Sequence, residues 1–389
     1  MNDGARIVAV ALAVGLAACA AERQEPPVDD EPFVRRPLAA EVLARPAIAY
    51  SGYRRGQSPD VQEYPSPAEI EEDLRLVVAG GWGFIRLFDA GPHAERVLAV
   101  IREQQLDLKV LLGVWIAGNP RAHDAANRAE IDRAVALAQQ YGDLVAAVSV
   151  GNETLDDWSN VKVTPAELVV YLAEVRRRVV QPVTTDDSWL PFMLGEDGAT
   201  SYADVIEVMR AVDFLSIHVY AFADAYYDSW EWKQEAVPVE QRARAMMDAA
   251  MAYTRHGVRA VRATAAGHGL DLPIVIGEAG WKDATPFSPA NPADPPEDAI
   301  EHYFAHPVNQ KWFFDDLTDW VYGDGRDADS PAAAFYFEAF DEPWKGEWGD
   351  DGWGLFDVDR VPKYVVWDRY PERRPADAPA YSDADAVHF

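Results

Sequence analysis

The sequence predicts an α/β protein of the (β/α)8 class, a TIM barrel built as a single domain. Three observations carry that expectation. Short apolar runs of strand length alternate with stretches of helical periodicity, giving eight strand–helix units if the segment after Phe340 supplies the last helix. Two of the runs end alike: residues 145–150 stop at Gly151 before Asn152 and Glu153, and residues 274–276 stop at Gly277 before Glu278. The first strand–helix turn, Ser51-Gly52-Tyr53-Arg54, lacks the Gly-rich pattern of a doubly wound nucleotide-binding sheet.

Taken in order, residues 47–50 read as a strand. Ser66-Pro67-Ala68-Glu69 then reads as a capping box with Pro at the first helical position. Ile70, Leu74, Val77 and Val78 follow helical spacing, and Gly80-Gly81 stops the helix. Strands are expected at 84–88 and 108–114, each followed by a helix, at 94–104 and 128–141. The strand before Glu153 leads to a helix over 165–179, then a strand at 182–185 and a helix at 202–210. A strand at 214–218 precedes a long helical stretch from 245 toward 266, and the strand before Glu278 precedes a helical region at 299–320. Residues 334–340 read as the last strand. No internal repeat accompanies the alternation.

Composition narrows the function. The 389 residues carry a formal net charge of −30, so a polyanionic partner is not expected and no basic patch suited to nucleic acid is visible. Thirteen Trp, 16 Tyr and 15 Phe supply aromatic rings beyond what a core needs. The single cysteine, Cys19, excludes an internal disulfide. It follows a short apolar run at 7–16 and the tripeptide Leu16-Ala17-Ala18, which resembles a bacterial lipobox. Residues 1–19 are therefore expected to be a lipoprotein signal, with Cys19 lipidated. Ala20 rather than Asp follows, pointing to the outer membrane, cell surface or periplasm. Residues 20–45 read as a polar, proline-rich tether, 46–370 as the catalytic domain and 371–389 as a disordered tail. A monomer is expected.

Two glutamates at two strand tips on the C-terminal face of a barrel sit where catalytic groups lie in this fold. A lone strand-end Glu is most often a solvated loop residue; a matched pair is harder to explain that way. Aromatic residues gather in the same loops (Tyr50, Tyr53, Trp115, Trp189, Tyr220, Trp281 and Trp344), with few cations and no metal-ligand cluster. That describes a site for a neutral, flat-faced ligand such as a sugar ring, with no cofactor and no metal. Two carboxylates across a glycosidic bond can act as acid and nucleophile. Some residues stay open: His218 as pocket wall or structural histidine, Glu338 as barrel lining or a buried pair with an Arg, and Lys345 as partner of Glu342, sugar ligand or surface ion pair. The aspartates around 324–329 lack the glycine and twelfth-position glutamate of a calcium loop.

Four motifs in order resemble glycoside hydrolase family 17, the β-1,3-glucanases. Val150-Gly151-Asn152-Glu153 resembles that family's acid/base motif. Ile276-Gly277-Glu278-Ala279-Gly280-Trp281 resembles its nucleophile motif, with Ala279 where Thr or Ser is common. Phe340-Asp341-Glu342-Pro343-Trp344-Lys345 resembles its last-strand signature, and residues 50–59 the first-strand loop of its bacterial members. The resemblance covers roughly residues 46–365. It implies a retaining hydrolase of laminarin-like β-1,3-glucan, with Glu153 as acid/base and Glu278 as nucleophile. Asn152, Tyr53, Tyr220, Trp281, Glu342, Trp344 and Lys345 are the expected substrate-binding residues. A β-1,3-glucanosyltransferase would use the same intermediate, and a non-catalytic glucan-binding protein would need neither glutamate. Retention requires carboxyl groups ~5–5.5 Å apart rather than the ~6.5–9.5 Å of an inverting pair.

Overall fold

Residues at the bottom of the barrel show why the sheet closes. The strands are β1 (Ala47–Ala49), β2 (Phe84–Leu87), β3 (Lys109–Val114), β4 (Val145–Asn152), β5 (Val183–Ser188), β6 (Leu215–His218), β7 (Ile274–Ala279) and β8 (Ala334–Tyr336). All neighbours pair in parallel, and Ala47 faces both Phe84 of β2 and Phe335 of β8, so no edge remains. Phe84 and Phe335 meet inside at 4.7 Å between ring centroids, packed with Leu111, Ala147, Phe214 and Val275. Val42, from the short helix Ala40–Leu43, belongs to the same cluster. Each such ring contributes about 1.5–3 kcal/mol by leaving water.

The computed structural model describes residues 33–193, 205–284, 304–348 and 352–386, and residues 35–389 form one compact unit. Cys19, the expected signal peptide and residues 20–32 of the expected tether lie outside the described residues. So do residues 202–204 and 299–303 of two expected helices; the first is described as Val205–Ala211, and the second begins only at Pro307, capped by His306, and runs to Tyr322. Among the described residues, no helix is long and apolar enough to cross a membrane.

Local chemistry sets the helix starts. Ser66 Oγ accepts from Glu69 N and Glu69 returns a bond to Ser66 N, which starts the helix Pro67–Ala79. Thr164 and Glu167 repeat the box for Pro165–Arg178, with three arginines in its last turn beside the negative end of the helix dipole. Two expectations need correction. The helix before β4 begins at Pro120 rather than 128, because Asn119 in a left-handed turn (φ 52°) lets Pro120 open it. After β8, the described residues hold 3-10 turns, at Pro343–Trp348, Tyr364–Val366 and Pro371–Arg373, instead of a closing α-helix. Arg360 does the joining there: its guanidinium grips Asp73 through two bonds of 2.7 Å and the Gly52 carbonyl at 2.7 Å. In the stretch read as a disordered tail, Tyr381 packs on Tyr364 at 4.8 Å and Trp367 at 5.9 Å.

Up the barrel axis, apolar side chains give way to polar ones. Above Phe84 on the same strand face sits Arg86; above Phe214 come Ser216 and His218. Gly277 of β7 is required here, since a Cβ would lie 2.3 Å from Asp186 Oδ1 and 2.5 Å from Ser216 Oγ. The barrel's polar end is thus built from inward positions of β2, β5, β6 and β7.

Candidate active site

Glu153 is placed by the way β4 ends. Gly151 (φ 87°) and Glu153 itself (φ 52°) turn the chain, and Glu153 N donates to the Asp186 carbonyl at 2.8 Å. A non-glycine residue in that region costs about 1–3 kcal/mol and persists only when its surroundings hold it. They do: Thr154 N and Leu155 N both donate to Asp187, at 3.0 and 3.1 Å. Asp187 and its buried neighbour Asp156 are both pushed above the usual carboxylate range. Burial is the main cause, followed for Asp187 by Asp156 and for Asp156 by Glu153, and Asp156 reaches about 6. A coupled pair that shares one proton places one negative charge rather than two behind Glu153.

Glu278 is held differently. Its Oε1 accepts from Arg86 Nη1 at 2.5 Å and its Oε2 from the Tyr220 hydroxyl at 2.5 Å. Burial would raise its pKa, but His218, Arg86 and the Tyr220 bond outweigh that and hold it below the usual value. Arg86 also donates to Asp186 at 2.9 Å and to Asn152 Oδ1 at 2.6 Å. Because a guanidinium can only donate, this contact fixes the Asn152 amide and leaves Nδ2 as its donor.

His218 lies between the two glutamates. Nδ1 is 3.0 Å from Glu153 Oε1, and Nε2 is 3.6 Å from Glu278 Oε1. Burial disfavours its charge, yet Glu278, Asp186 and Glu153 together raise its pKa to about 10, so it is an imidazolium at neutral pH. Glu153, His218 and Glu278 offer one atom each within 4.8 Å of one another, a metal-like spacing. Glu278 is already bonded by Arg86 and Tyr220, and His218 reaches Glu153, so as placed the set forms an ion-pair and hydrogen-bond network. Glu153 is the more accessible carboxylate, with 22% of its side chain exposed against 7% for Glu278.

The cleft above these groups encloses about 1460 Å³, more than the ~300–1,000 Å³ of a small-molecule pocket. Asn152, Tyr53, Tyr220, Glu342, Trp344 and Lys345 all line it, as do Tyr50, Trp115 and His218. Trp281 does not: it is 0% exposed, packs on Phe222, Phe304 and Phe313, and donates its indole N–H to the Phe304 carbonyl. The ring expected there as a stacking platform is core, and Trp353 lines the cleft instead. Trp189 likewise packs inside, on Tyr253 and His256. Lys345 bridges Glu338 at 2.8 Å and Glu342 at 2.6 Å, so Glu338 pairs with a lysine rather than an arginine. Glu342 also accepts from Ser51 Oγ and, at 3.1 Å, from Tyr53 N, which ties the last-strand loop to the first. Asp327 accepts from Trp320 Nε1, Ser330 Oγ and Asp329 N, a local cap for its own loop.

Sequence reasoning missed Arg86 and Asp186. A charged residue inside Phe84-Ile85-Arg86-Leu87 was the available signal, because Arg is almost never fully buried without a partner. Asp186 fell beyond the expected end of its strand at 185, which runs on to Ser188.

A closed eight-stranded barrel with paired carboxylates at one mouth has the groups that a sugar-hydrolysing barrel needs. The BtgE/BtgC glycoside hydrolase domain matches residues 47–355, and the chain belongs to that family and is a glycoside hydrolase, in line with the family 17 resemblance of its four motifs. A glucan 1,3-beta-glucosidase of Arthroderma benhamiae is 27% identical over 84% of this chain and 94% of its own length. A probable glucan endo-1,3-beta-glucosidase of Aspergillus clavatus is 27% identical over 76% of this chain, which spans 39% of that longer relative. Among solved structures, an endo-laminarinase from Formosa Hel1_33_131 superposes with a TM-score of 0.75 at 25% identity, covering 90% of this chain and 98% of that one. A family 17 β-1,3-glucanosyltransferase from Rhizomucor miehei shares the fold at TM-score 0.56 and 20% identity, covering 83% and 96% of the two chains.

Proposed function

We propose that the protein is a retaining hydrolase that cuts β-1,3-glucan by double displacement. One observation carries the reading: carboxylate oxygens of Glu153 and Glu278 lie within 4.8 Å, on the short side that a covalent mechanism needs. In the first step Glu278 forms a bond to the anomeric carbon as the glycosidic C–O bond breaks. Glu153 gives its proton to the departing oxygen. In the second step Glu153 takes a proton from water, and the resulting hydroxide equivalent displaces Glu278. Arg86, Tyr220 and the His218 imidazolium keep Glu278 ionised for attack. Asn152 Nδ2 is left to meet the 2-hydroxyl of the bound sugar. The names of the relatives supply the substrate class, and a cleft lined on both sides of the carboxylate pair supports cutting within a chain. The expected lipid anchor at Cys19 would place this activity at the cell surface or periplasm.

A product time course on laminari-oligosaccharides, with the first-formed anomer read by proton NMR, tests the reading. Release of shorter β-anomers first is the expected result. A first-formed α-anomer refutes retention, and products longer than the substrate identify a glucanosyltransferase.

A further inference from the structure

Adjacent residues of a strand point to opposite faces, and the end of β5 carries two adjacent aspartates. Asp186 turns into the barrel and bonds Arg86 at 2.9 Å. Asp187, 0% exposed, turns the other way, toward the chain that follows Glu153. There its carboxyl accepts from Thr154 N at 3.0 Å, Thr154 Oγ1 at 3.2 Å and Leu155 N at 3.1 Å. The turn has no slack: a Cβ on Gly151 would lie 2.9 Å from Thr154 Oγ1, and Val163 N donates to the Thr154 carbonyl at 2.8 Å. Glu153, at φ 52°, is thus gripped on its C-terminal side by a buried carboxyl.

Asp156, 4% exposed, completes the arrangement. Its carboxyl is in hydrogen-bonding reach of Asp187 and of the Ser188 backbone, yet its Oδ2 is buried and meets no donor. Two carboxylates offer only acceptors, so a bond between them needs a proton on one. Among the described residues neither carboxyl forms an ion pair with Arg or Lys; the charged groups facing them are Glu153, at the end of β4, and His218 from β6. Two buried carboxyls in bonding reach do not both ionise, so the pair holds one proton and one negative charge. Burial pushes both above the usual carboxylate range, in keeping with that count.

We propose that Asp156 and Asp187, bridged by one shared proton, are positioning residues for the acid/base. They lock the turn that carries Glu153 and keep a second negative charge from arising behind it. Neither aspartate lines the cleft, so their action passes through Glu153. The proposal rests on the acid/base role given to Glu153 in the hydrolase reading above.

The test compares two substrates that need the acid to different degrees. A laminari-oligosaccharide has a sugar leaving group that must be protonated, whereas the nitrophenolate of an aryl β-laminaribioside departs with little help. Asp187→Ala should lower kcat/KM on the oligosaccharide by roughly 10- to 100-fold, the scale of a displaced catalytic group, and on the aryl bioside by less than about threefold. Asp187→Asn keeps an acceptor for Thr154 and Leu155 and a donor for Asp156, and should recover most of the loss. Equal losses on both substrates, or none, overturn the positioning role. Should Asp187→Ala not fold, Asp156→Ala, which removes the partner of Asp187, is read on the same two substrates with the same selective loss expected. Asp156→Asn tests the proton: because the pair already carries a single charge, the alkaline limb of kcat/KM on the oligosaccharide should stay in place. A limb displaced by more than about half a pH unit means two charges in the wild type and overturns the shared proton. Glu153→Ala is measured alongside; if it spares the oligosaccharide, or if wild type cleaves neither substrate, the hydrolase reading fails and the role of the pair with it.

Discussion

Replacing Arg86 with Met tests the electrostatic design at its centre. The side chain is buried and bonds to Glu278 at 2.5 Å, Asn152 at 2.6 Å and Asp186 at 2.9 Å. Its loss leaves Asp186 and Glu278 buried with His218 as their nearest cation, and removing one partner of a buried pair costs about 3–5 kcal/mol. The catalytic effect has its own scale. A hydrogen bond to a charged group is worth about 1.5–3 kcal/mol, and a pKa unit about 1.4, so the Glu278 pKa should rise by roughly one to two units. Since Glu278 must be ionised to attack, the acid limb of kcat/KM should move up by the same amount. The measurement is a pH profile on an activated aryl β-glucoside, with urea unfolding on the same preparations. Arg86→Lys keeps the charge but not the fork and should fall between Met and wild type. An acid limb in Arg86→Met that superimposes on wild type would show that Arg86 does not hold Glu278 ionised.

Two further outcomes rest on the same geometry and a third on the sequence around Cys19. Glu153→Ala should lose most glucan hydrolysis, by roughly 10²–10⁴-fold, and azide should restore turnover of the aryl glycoside as a β-glycosyl azide; an α-azide removes Glu153 from the acid/base role. His218 has a folded pKa of about 10, above its unfolded value of 6.5, so its stabilisation is complete below the lower value and lost as pH rises through the upper one. Urea midpoints of wild type should therefore drop more between neutral pH and pH above about 10 than those of His218→Gln, and equal drops refute the charged network. Mass spectrometry of protein from the natural host should find a lipidated N-terminal Cys19; a chain beginning at an unmodified Met1 refutes the anchor.

The strand tips were legible because each rests on a local signal. An apolar run broken by Gly151 or Gly277 needs no distant partner to declare its end, and the capping boxes at Ser66 and Thr164 mark helix starts within four residues. Alternation of such segments was enough to select the barrel, and with it the face that carries Glu153 and Glu278. The last unit was misread because Arg360 reaching Asp73 is a long-range contact that substitutes for a helix, and no periodicity announces it. Trp281 shows the same limit: a tryptophan next to a catalytic-type motif reads as a platform, whereas its burial against Phe222, Phe304 and Phe313 depends on packing between elements far apart in sequence. By itself, then, the sequence determined the elements, their order and the two carboxylates. The tertiary structure alone decided the charge states, because those depend on which groups meet in a water-poor interior. Only closure of the barrel sets Arg86 from β2, Asp186 from β5, His218 from β6 and Glu278 from β7 within bonding range of one another, and that proximity holds the Glu278 pKa below its usual value, as the proposed nucleophile requires.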